Sequence, residues 1–214
     1  TTRSELLMLR SILTQPLLTF LAGLVMAAFV FYLVFNLFAP PNRSLEGVDS
    51  YRIQLGKVGA SGIEPGSIGE ATALENIKNL LKGIGDSQYV RDNTLKVYAA
   101  DAYLDDTLVV HRGAAAIEAY FLKTSKVVTD YKVTIDDVAR SGNDYYIRWT
   151  MVFAAPVLSG GQPVHSIGIS QIRLNREGKV EFHQDFWDSG KNFFAHLPVV
   201  NRIIGLVRNR LESN

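Results

Sequence analysis

Two carboxylic acids and one histidine stand out in the chain as residues that could move a proton. His183 and Asp185 are two positions apart in an alternating segment, so in a strand their side chains share one face. Asp106 is the second acid of the pair Asp105-Asp106. An acid in an apolar cavity suits proton transfer near neutral pH, because low polarity disfavours its ionised form. We therefore take Asp106, His183 and Asp185 as the candidate catalytic residues, the histidine stabilising the carboxylate or relaying its proton.

The same residues have a second, structural interpretation. His183 and Asp185 could pair with each other, or with Tyr103 or Tyr120, in a buried polar network that only fixes the fold. Asp106 could be a solvated acid of a turn. The sequence alone leaves both interpretations open.

Large apolar side chains are predicted beside the acids. Trp149, Met151 and Phe153 alternate along one segment and therefore share a face of a strand. Trp187 shares the face of His183 and Asp185 by the same period of two. This pattern predicts an aromatic surface that could bind a hydrophobic small molecule.

The composition excludes several other kinds of site. The 214 residues carry a formal net charge of +1 without a dense Lys/Arg cluster, so we expect no nucleic-acid partner. Cysteine is absent, which excludes disulfides and thiolate metal ligands. The four histidines form no HxH or HxxxH pair, and we therefore expect neither a metal nor another cofactor.

The elements that must position these residues come in two groups. Apolar residues at helical spacing predict three helices, over Ala71–Lys82, Ser87–Tyr98 and Gly113–Val127. The segment from Asp101 onward alternates like a strand between the second and third helices. Alternating segments separated by turn residues then predict four further strands, over Lys132–Ala139, Tyr145–Ala155, Val164–Asn175 and Lys179–Asp188. Helices followed by an antiparallel sheet indicate an α+β domain.

The N-terminal part of the sequence predicts a membrane anchor. No charged residue occurs from Ser11 to Asn42, and Leu17–Ala39 would form a helix of roughly 35 Å, against a hydrocarbon core of roughly 30 Å. We therefore expect a short head over 1–16, a single transmembrane helix over 17–39, a tether over 40–70 with a short strand at Tyr51–Leu55, and a domain over 71–214. A weak arginine bias favours an inner (cell) membrane protein whose domain is periplasmic.

Three segments carry a resemblance to a known family. Val97–Phe121, Arg173–Val180 and Phe182–Asp188 resemble the nuclear transport factor 2-like superfamily, within it the ketosteroid isomerase and SnoaL-type polyketide cyclase branch. The resemblance implies a cone-shaped α+β barrel, in which a curved antiparallel sheet wraps around three helices and closes an apolar cavity.

The resemblance also implies roles for individual positions. The general-base aspartate of the isomerase falls on Asp106, and its protonated oxyanion-hole acid falls on Ser170. The oxyanion-hole tyrosine of the isomerase has no counterpart in this sequence, and Leu81 is the residue nearest to its position. Steroid isomerisation itself is therefore not expected. The implied ligand-binding residues are Tyr103, Tyr120, Trp149, Met151, Phe153, Ser170 and Trp187.

Two functions are compatible with this pattern. The first is a membrane-anchored protein that binds a lipid, an isoprenoid or a polycyclic compound and catalyses an isomerisation or cyclisation. The second is a non-catalytic accessory or assembly subunit, whose anchor docks on transmembrane helices of a larger complex through the small residues Gly23, Ala27 and Ala28.

The end of the chain carries an apolar stripe beside arginines. Leu197, Val200, Ile204, Val207 and Leu211 lie at helical spacing, next to Arg202, Arg208 and Arg210. Such a helix could pack against the flank of the sheet or rest on anionic lipid headgroups.

Overall fold

The computed structural model of the protein describes residues 20, 21, 23–34, 37, 44–58 and 62–213. The helices from Ser44 onward are α1 (Ser44–Lys57), α2 (Ile68–Gly83), α3 (Ser87–Val97), α4 (Ala114–Val127), α5 (Ser189–Asn192) and α6 (Val200–Glu212). The strands are β1 (Tyr98–Asp105), β2 (Val110–Arg112), β3 (Thr129–Ser141), β4 (Asp144–Ala154), β5 (Val164–Leu174) and β6 (Val180–Trp187). The predicted α+β class is confirmed.

The six strands form one curved sheet in the order β2-β1-β6-β5-β4-β3. The long hairpins β3–β4, β4–β5 and β5–β6 are antiparallel, as predicted. The prediction of a purely antiparallel sheet is wrong, however, because β1 pairs in parallel with β6, with Leu104 opposite His183. Such a parallel pair needs a long crossover connection, and here α4 and four strands separate its members in the sequence.

Helices α2, α3 and α4 cover the inner face of the sheet. Their start signals lie in the sequence: Ser67 caps α2 by accepting from the Glu70 amide, and Asp86 caps α3. The main apolar core joins these helices to the inner side chains of β1, β4 and β5, including the fully buried Ile77, Ile117, Ile147 and Ile172. The apolar side chains that recur every two positions in the strands and at helical spacing in the helices thus meet in one core.

The outer face of the sheet is covered in part by α1. The ring of Tyr51 makes edge contacts with Phe182 and Phe186, and its hydroxyl donates to Gln171 Oε1 at 2.8 Å. The prediction of a strand at Tyr51–Leu55 is wrong. Tyr51, Gln54 and Leu55 follow helical spacing, and all three are at least partly buried.

The structure describes only part of the predicted N-terminal segments. The head over 1–16 and the ends of the predicted anchor Leu17–Ala39 fall outside the described residues, whereas residues 20, 21, 23–34 and 37 are helical. Within the described part of the chain, no helix has both the length and the apolar content needed to cross a bilayer. Ser50–Asn214 forms one compact unit and Thr1–Asp49 another. The domain boundaries given above stay predictions.

The C-terminal segment begins against the sheet and ends exposed. Asn192 of α5 donates to Ser166 Oγ at 3.1 Å, and both side chains are buried. Phe193 and Leu197 then pack on a second apolar cluster formed by Phe153, Ala155, Leu158 and Val164. Helix α6 follows and contains no buried residue.

Candidate functional site

Strands β5 and β6 bring the central polar residues together. His183 and Asp185 lie on the inner face of β6, as their spacing predicts, while Phe182 beside them faces α1. Ser170 on β5 is the cross-strand neighbour of Asp185. Directly opposed side chains of antiparallel strands are close enough to bond, so the sheet register itself builds this contact.

Five side chains form one continuous hydrogen-bonded chain. Tyr98 Oη lies 2.6 Å from His183 Nδ1, and His183 Nε2 lies 2.9 Å from Asp185 Oδ1. Ser170 Oγ donates to the same Asp185 oxygen at 2.5 Å, and Trp149 Nε1 donates to Ser170 Oγ at 3.0 Å. The predicted pairing of His183 with Asp185 is therefore present, within a longer chain.

The two neighbours of His183, Tyr98 and Asp185, define the positions of the protons on its ring. Burial, and secondarily the negative charge of Asp185, raise the pKa of Tyr98 well above 10, so its hydroxyl keeps its proton and can donate. An ionised Asp185 can only accept. We therefore assign His183 the tautomer that accepts from Tyr98 at Nδ1 and donates to Asp185 from Nε2.

Trp149 reaches Ser170 because a glycine lies beneath its ring. Gly168 is its cross-strand neighbour, and a Cβ placed on Gly168 would lie 2.4 Å from Trp149 Cζ2. The absence of a side chain at this position gives the indole room to lie across β5. Trp149 itself is only 6% exposed.

Asp185 is the one member of the chain that opens toward solvent. Its side chain is 18% exposed, against 1% for His183. Both hydrogen bonds fall on Oδ1, and Oδ2 receives none from the described residues. One oxygen is thus held in place while the other is available to a ligand.

Tyrosines surround this carboxylate. Burial raises the pKa of Tyr120 and of Tyr131, and in both cases the negative charge of Asp185 adds to the effect. Tyr131 donates to the Leu81 carbonyl oxygen at 2.9 Å. Both phenols therefore stay protonated, and the walls near Asp185 are aromatic rings with neutral hydroxyl groups.

Asp106 lies in the turn after β1 and is engaged on both oxygens. Its Oδ1 accepts from the amides of Leu108 and Val109 at 2.9 and 2.8 Å, and its Oδ2 accepts from the Tyr120 hydroxyl. The Trp187 indole donates to its backbone carbonyl at 2.7 Å. This geometry matches the turn-acid interpretation, and Asp106 is not hydrogen-bonded to His183 or Asp185. Its proposed role as a base stays a prediction.

The predicted ligand-binding residues lie in four different places in the fold. Tyr103 stacks on Phe182 at 5.5 Å between ring centroids, which puts it on the outer face of the sheet, because Phe182 contacts α1. Phe153 is 7% exposed within the second apolar cluster, and Met151 packs against that cluster. Trp187 and Tyr120 are partly buried and lie at the Asp106 turn, while Trp149 and Ser170 join the central chain.

Some residues of the site are not evident from the sequence. Tyr98 falls at the end of the predicted helix Ser87–Tyr98 and is in fact the first residue of β1. Gly168 and Tyr131 carry no motif at all; only the register of β4 against β5 and β3 reveals their positions. Among the described residues, no group of three His, Cys, Asp or Glu side chains is arranged to hold a metal ion.

Comparison with known proteins gives a similarity for the middle of the chain. The family profile described as a SnoaL-like domain matches residues 88–183. That range contains nearly all of α3, the whole of α4, β1 to β5 and the start of β6 up to His183. No match to a curated protein was found.

Several solved structures are similar to this chain at low identity. An epoxide hydrolase of the LEH-like type from M. tuberculosis is 14% identical, with a TM-score of 0.49 over 67% of this chain and 98% of the other. A protein with a ketosteroid isomerase-like fold from Catenulispora acidiphila is 16% identical, with a TM-score of 0.48 over 58% and 91%. TsrD from Streptomyces laurentii is 17% identical, with a TM-score of 0.47 over 60% and 94%.

The family profile and the resemblance drawn from the sequence agree on the same domain. The profile range includes the segment Val97–Phe121 and ends within the segment Phe182–Asp188. The chain is therefore similar to SnoaL-like domains over residues 88–183.

Proposed function

We propose that this domain binds a hydrophobic small molecule beside Asp185 and that the Asp185 carboxylate takes a proton from it and returns it. The observation that carries the proposal is the state of that carboxylate. Its Oδ1 is held by Ser170 and His183, its Oδ2 receives no hydrogen bond from the described residues, and the side chain is partly exposed. A base needs this combination of fixed position and a free oxygen.

The reaction class follows from the groups present. Asp185 Oδ2 takes the proton from a carbon next to a carbonyl group, and the electron pair of the broken C–H bond moves into an enolate. The proton then returns from Oδ2 to the same carbon, or to a conjugated one, and the electron pair reforms a C–H bond. Protons and electrons balance without a co-reactant, which suits isomerisation. In a cyclisation the electron pair of the enolate instead forms a C–C bond to a second carbonyl carbon of the same molecule, the π electron pair of that carbonyl group moves to its oxygen, and this oxygen takes the proton from Oδ2.

The other members of the chain act through Asp185. Ser170 and His183 fix the orientation of the carboxylate, and Tyr98 fixes the tautomer of His183 by donating to its Nδ1. Trp149 supplies the donor for Ser170 and an apolar wall. They are positioning residues, and their removal is expected to slow proton transfer less than the removal of the carboxylate.

Deuterium exchange tests the proposed chemistry without knowledge of the natural ligand. The protein is incubated in D₂O with 2-tetralone, a bicyclic ketone with acidic protons next to its carbonyl group, and uptake of deuterium is followed by mass spectrometry. We expect exchange above the buffer rate, lost in Asp185→Asn and retained in Asp101→Asn, whose acid is exposed on β1. Equal exchange rates in Asp185→Asn and the unmodified protein, with both variants folded by circular dichroism, would contradict the role of Asp185.

Ligand binding can be measured apart from catalysis. The chain contains two tryptophans: Trp149 belongs to the hydrogen-bonded chain of Asp185, and Trp187 lies two positions after Asp185 on β6, at the Asp106 turn. Energy transfer from tryptophan to bound 1-anilinonaphthalene-8-sulfonate therefore reports binding here. We expect saturable transfer that 2-tetralone reduces by competition and that Asp185→Asn preserves.

We also propose the membrane location predicted above, supported by the charge-free run from Ser11 to Asn42. The full chain is expected in the membrane fraction after a carbonate wash, with the domain digested by protease added to spheroplasts. Recovery in the carbonate-soluble fraction would contradict the anchor, and protection until the inner membrane is lysed would reverse the orientation. A stoichiometric protein partner in mild detergent would instead support the accessory-subunit function.

A further inference from the structure

Helix α6 presents an apolar face that the rest of the domain leaves uncovered. Ile203 is 59% exposed, Leu206 72%, Val207 56% and Leu211 73%, and Val199 just before the helix is 69% exposed. Ile203, Leu206 and Val207 are three and four residues apart, so they lie on one side of the helix. Large apolar side chains clustered this way on a short helix mark an interaction surface.

The same face carries positive charge. Arg202 and Arg210 each lie four residues from Leu206, one on either side along the helix, and are therefore its neighbours on the surface. The third arginine of the helix, Arg208, lies instead on the side that faces α5, and Glu212 is the only acid of the helix. Arginine side chains at the border of an apolar face can lay their carbon chains along a hydrocarbon layer while the guanidinium reaches polar headgroups.

The attachment of α6 leaves this face free. Asn192, Phe193 and Leu197 fix the preceding segment to the sheet. A cleft of about 300 Å³ lies between α6 and α5, lined by Asp188, Gly190, Lys191, Ile204 and Arg208. Ile204 and Val200 are the partly buried apolar residues of the helix, so the exposed face described above points away from that cleft.

We infer that α6 lies on the surface of an anionic lipid bilayer, with Ile203, Leu206 and Val207 in the boundary between headgroups and acyl chains. The arginines beside the apolar face favour an anionic bilayer over a second copy of the chain. A second copy pairing the same face on itself would bring Arg202 and Arg210 of both copies together, which costs Coulomb energy. An anionic headgroup layer instead neutralises these arginines, and each such contact adds to the burial of apolar area.

Single-cysteine labelling tests this placement cleanly, because the chain contains no cysteine. The full chain carrying Leu206→Cys is labelled with the fluorophore nitrobenzoxadiazole and placed in lipid nanodiscs made of phosphatidylcholine, with or without phosphatidylglycerol. We expect the emission to shift to the blue and the rate of reduction by dithionite to fall several-fold only when phosphatidylglycerol is present. Because the chain is in a nanodisc in both conditions, the N-terminal segment does not create this difference.

Two matched variants control the experiment. A label at Asn201→Cys, which is exposed on the opposite side of α6, should be reduced at the same rate in both nanodiscs. Replacing Arg202 and Arg210 together by Gln should abolish the effect of phosphatidylglycerol on the Leu206→Cys label.

Three outcomes would overturn the proposal. The first is equal reduction of the Leu206→Cys label in both kinds of nanodisc, whether fast or slow. The second is equal protection of the Leu206→Cys and Asn201→Cys labels. The third is protection that rises with protein concentration in the absence of phosphatidylglycerol, which would assign the face to a second copy of the chain.

Discussion

The hydroxyl of Tyr98 satisfies a histidine nitrogen that no water can reach. Tyr98 and His183 are 0% and 1% exposed. Tyr98→Phe leaves His183 Nδ1 buried without its donor, and we expect a loss of about 1–3 kcal/mol in the free energy of unfolding, measured with urea. Tyr89→Phe is the control, because the Tyr89 hydroxyl makes no hydrogen bond within the described residues. Equal stability of the two variants would show that the Tyr98 bond contributes little.

Gly168 controls the position of the Trp149 ring. The Cβ added in Gly168→Ala would overlap the indole, so the ring must move and its bond to Ser170 is lost. We expect a destabilisation of about 1–3 kcal/mol together with a change in tryptophan emission. Gly205→Ala is the control, because a Cβ there meets no atom within 4 Å, and alanine favours a helix. Unchanged emission in Gly168→Ala would show that the ring does not depend on the glycine.

At the residue scale, the sequence predicts a contact within the site when both residues belong to the same strand. The shared face of His183 and Asp185 follows from the period of two alone. The partnership of Ser170 with Asp185 needs the register of β5 against β6, which shifts between Arg173 and Leu174. Such an irregularity depends on the packing of the whole sheet and leaves no local trace in the sequence.

At the scale of elements, helix α2 is tied to strand β4 through Glu70. Its carboxylate accepts from the Tyr145 hydroxyl at 2.5 Å and from the Gly66 amide at 2.6 Å. These bonds, with the charge of Arg140, lower the pKa of Glu70. Burial and the neighbouring carboxylate raise the pKa of Tyr145 to about 12, so the phenol remains a donor over the whole neutral range.

Glu70 should therefore make stability depend on pH in the acid range. Because the pKa of Glu70 is lower in the folded protein, its contribution is complete above the unfolded value of about 4.3 and is lost as the pH falls through the folded value. Glu70→Gln should cost about 1 kcal/mol at pH 7, since the site lies near the surface, and nothing once the carboxyl group is protonated. Urea unfolding across this pH range measures the difference. Glu177→Gln, in an exposed turn, is the control, and a cost that persists in acid would contradict the assignment to charge.

The elements also differ in how far the sequence predicts them. Helices α2 to α4 are predicted within a few residues because their apolar spacing is helical, and α2 and α3 also begin at a capping side chain. For helix α1 the sequence predicts a tether with a strand instead, because the apolar residues of Tyr51–Leu55 are too few to separate a period of two from a helical repeat. The tertiary contact of Tyr51 with Phe182 is invisible at that level.

For the whole molecule, the sheet order predicts which parts of the chain are indispensable. Strand β6 is bonded on both sides, to β1 and β5, whereas α6 buries no residue. Removing Val200–Asn214 should shift Tm by no more than about 2–4 °C, the change that roughly 1 kcal/mol produces. Removing everything from Val180 onward should abolish the cooperative transition in a thermal scan. A cooperative transition in the chain that ends before Val180, or a large fall in Tm when only Val200–Asn214 is removed, would contradict the prediction that β6 matters more for stability than α6.

The parallel pairing of β1 with β6 has a consequence for biosynthesis. Strand β1 leaves the ribosome early, but the edge that β6 will occupy has no partner until β6 itself has been made, after β2, β3, β4 and β5. During that interval Leu104 and its neighbours present an unpaired, partly apolar strand edge, which is the kind of surface that promotes misassembly. Protection of this edge during translation is thus a requirement set by topology, and Asp185 acquires its position only when the last strand closes the sheet.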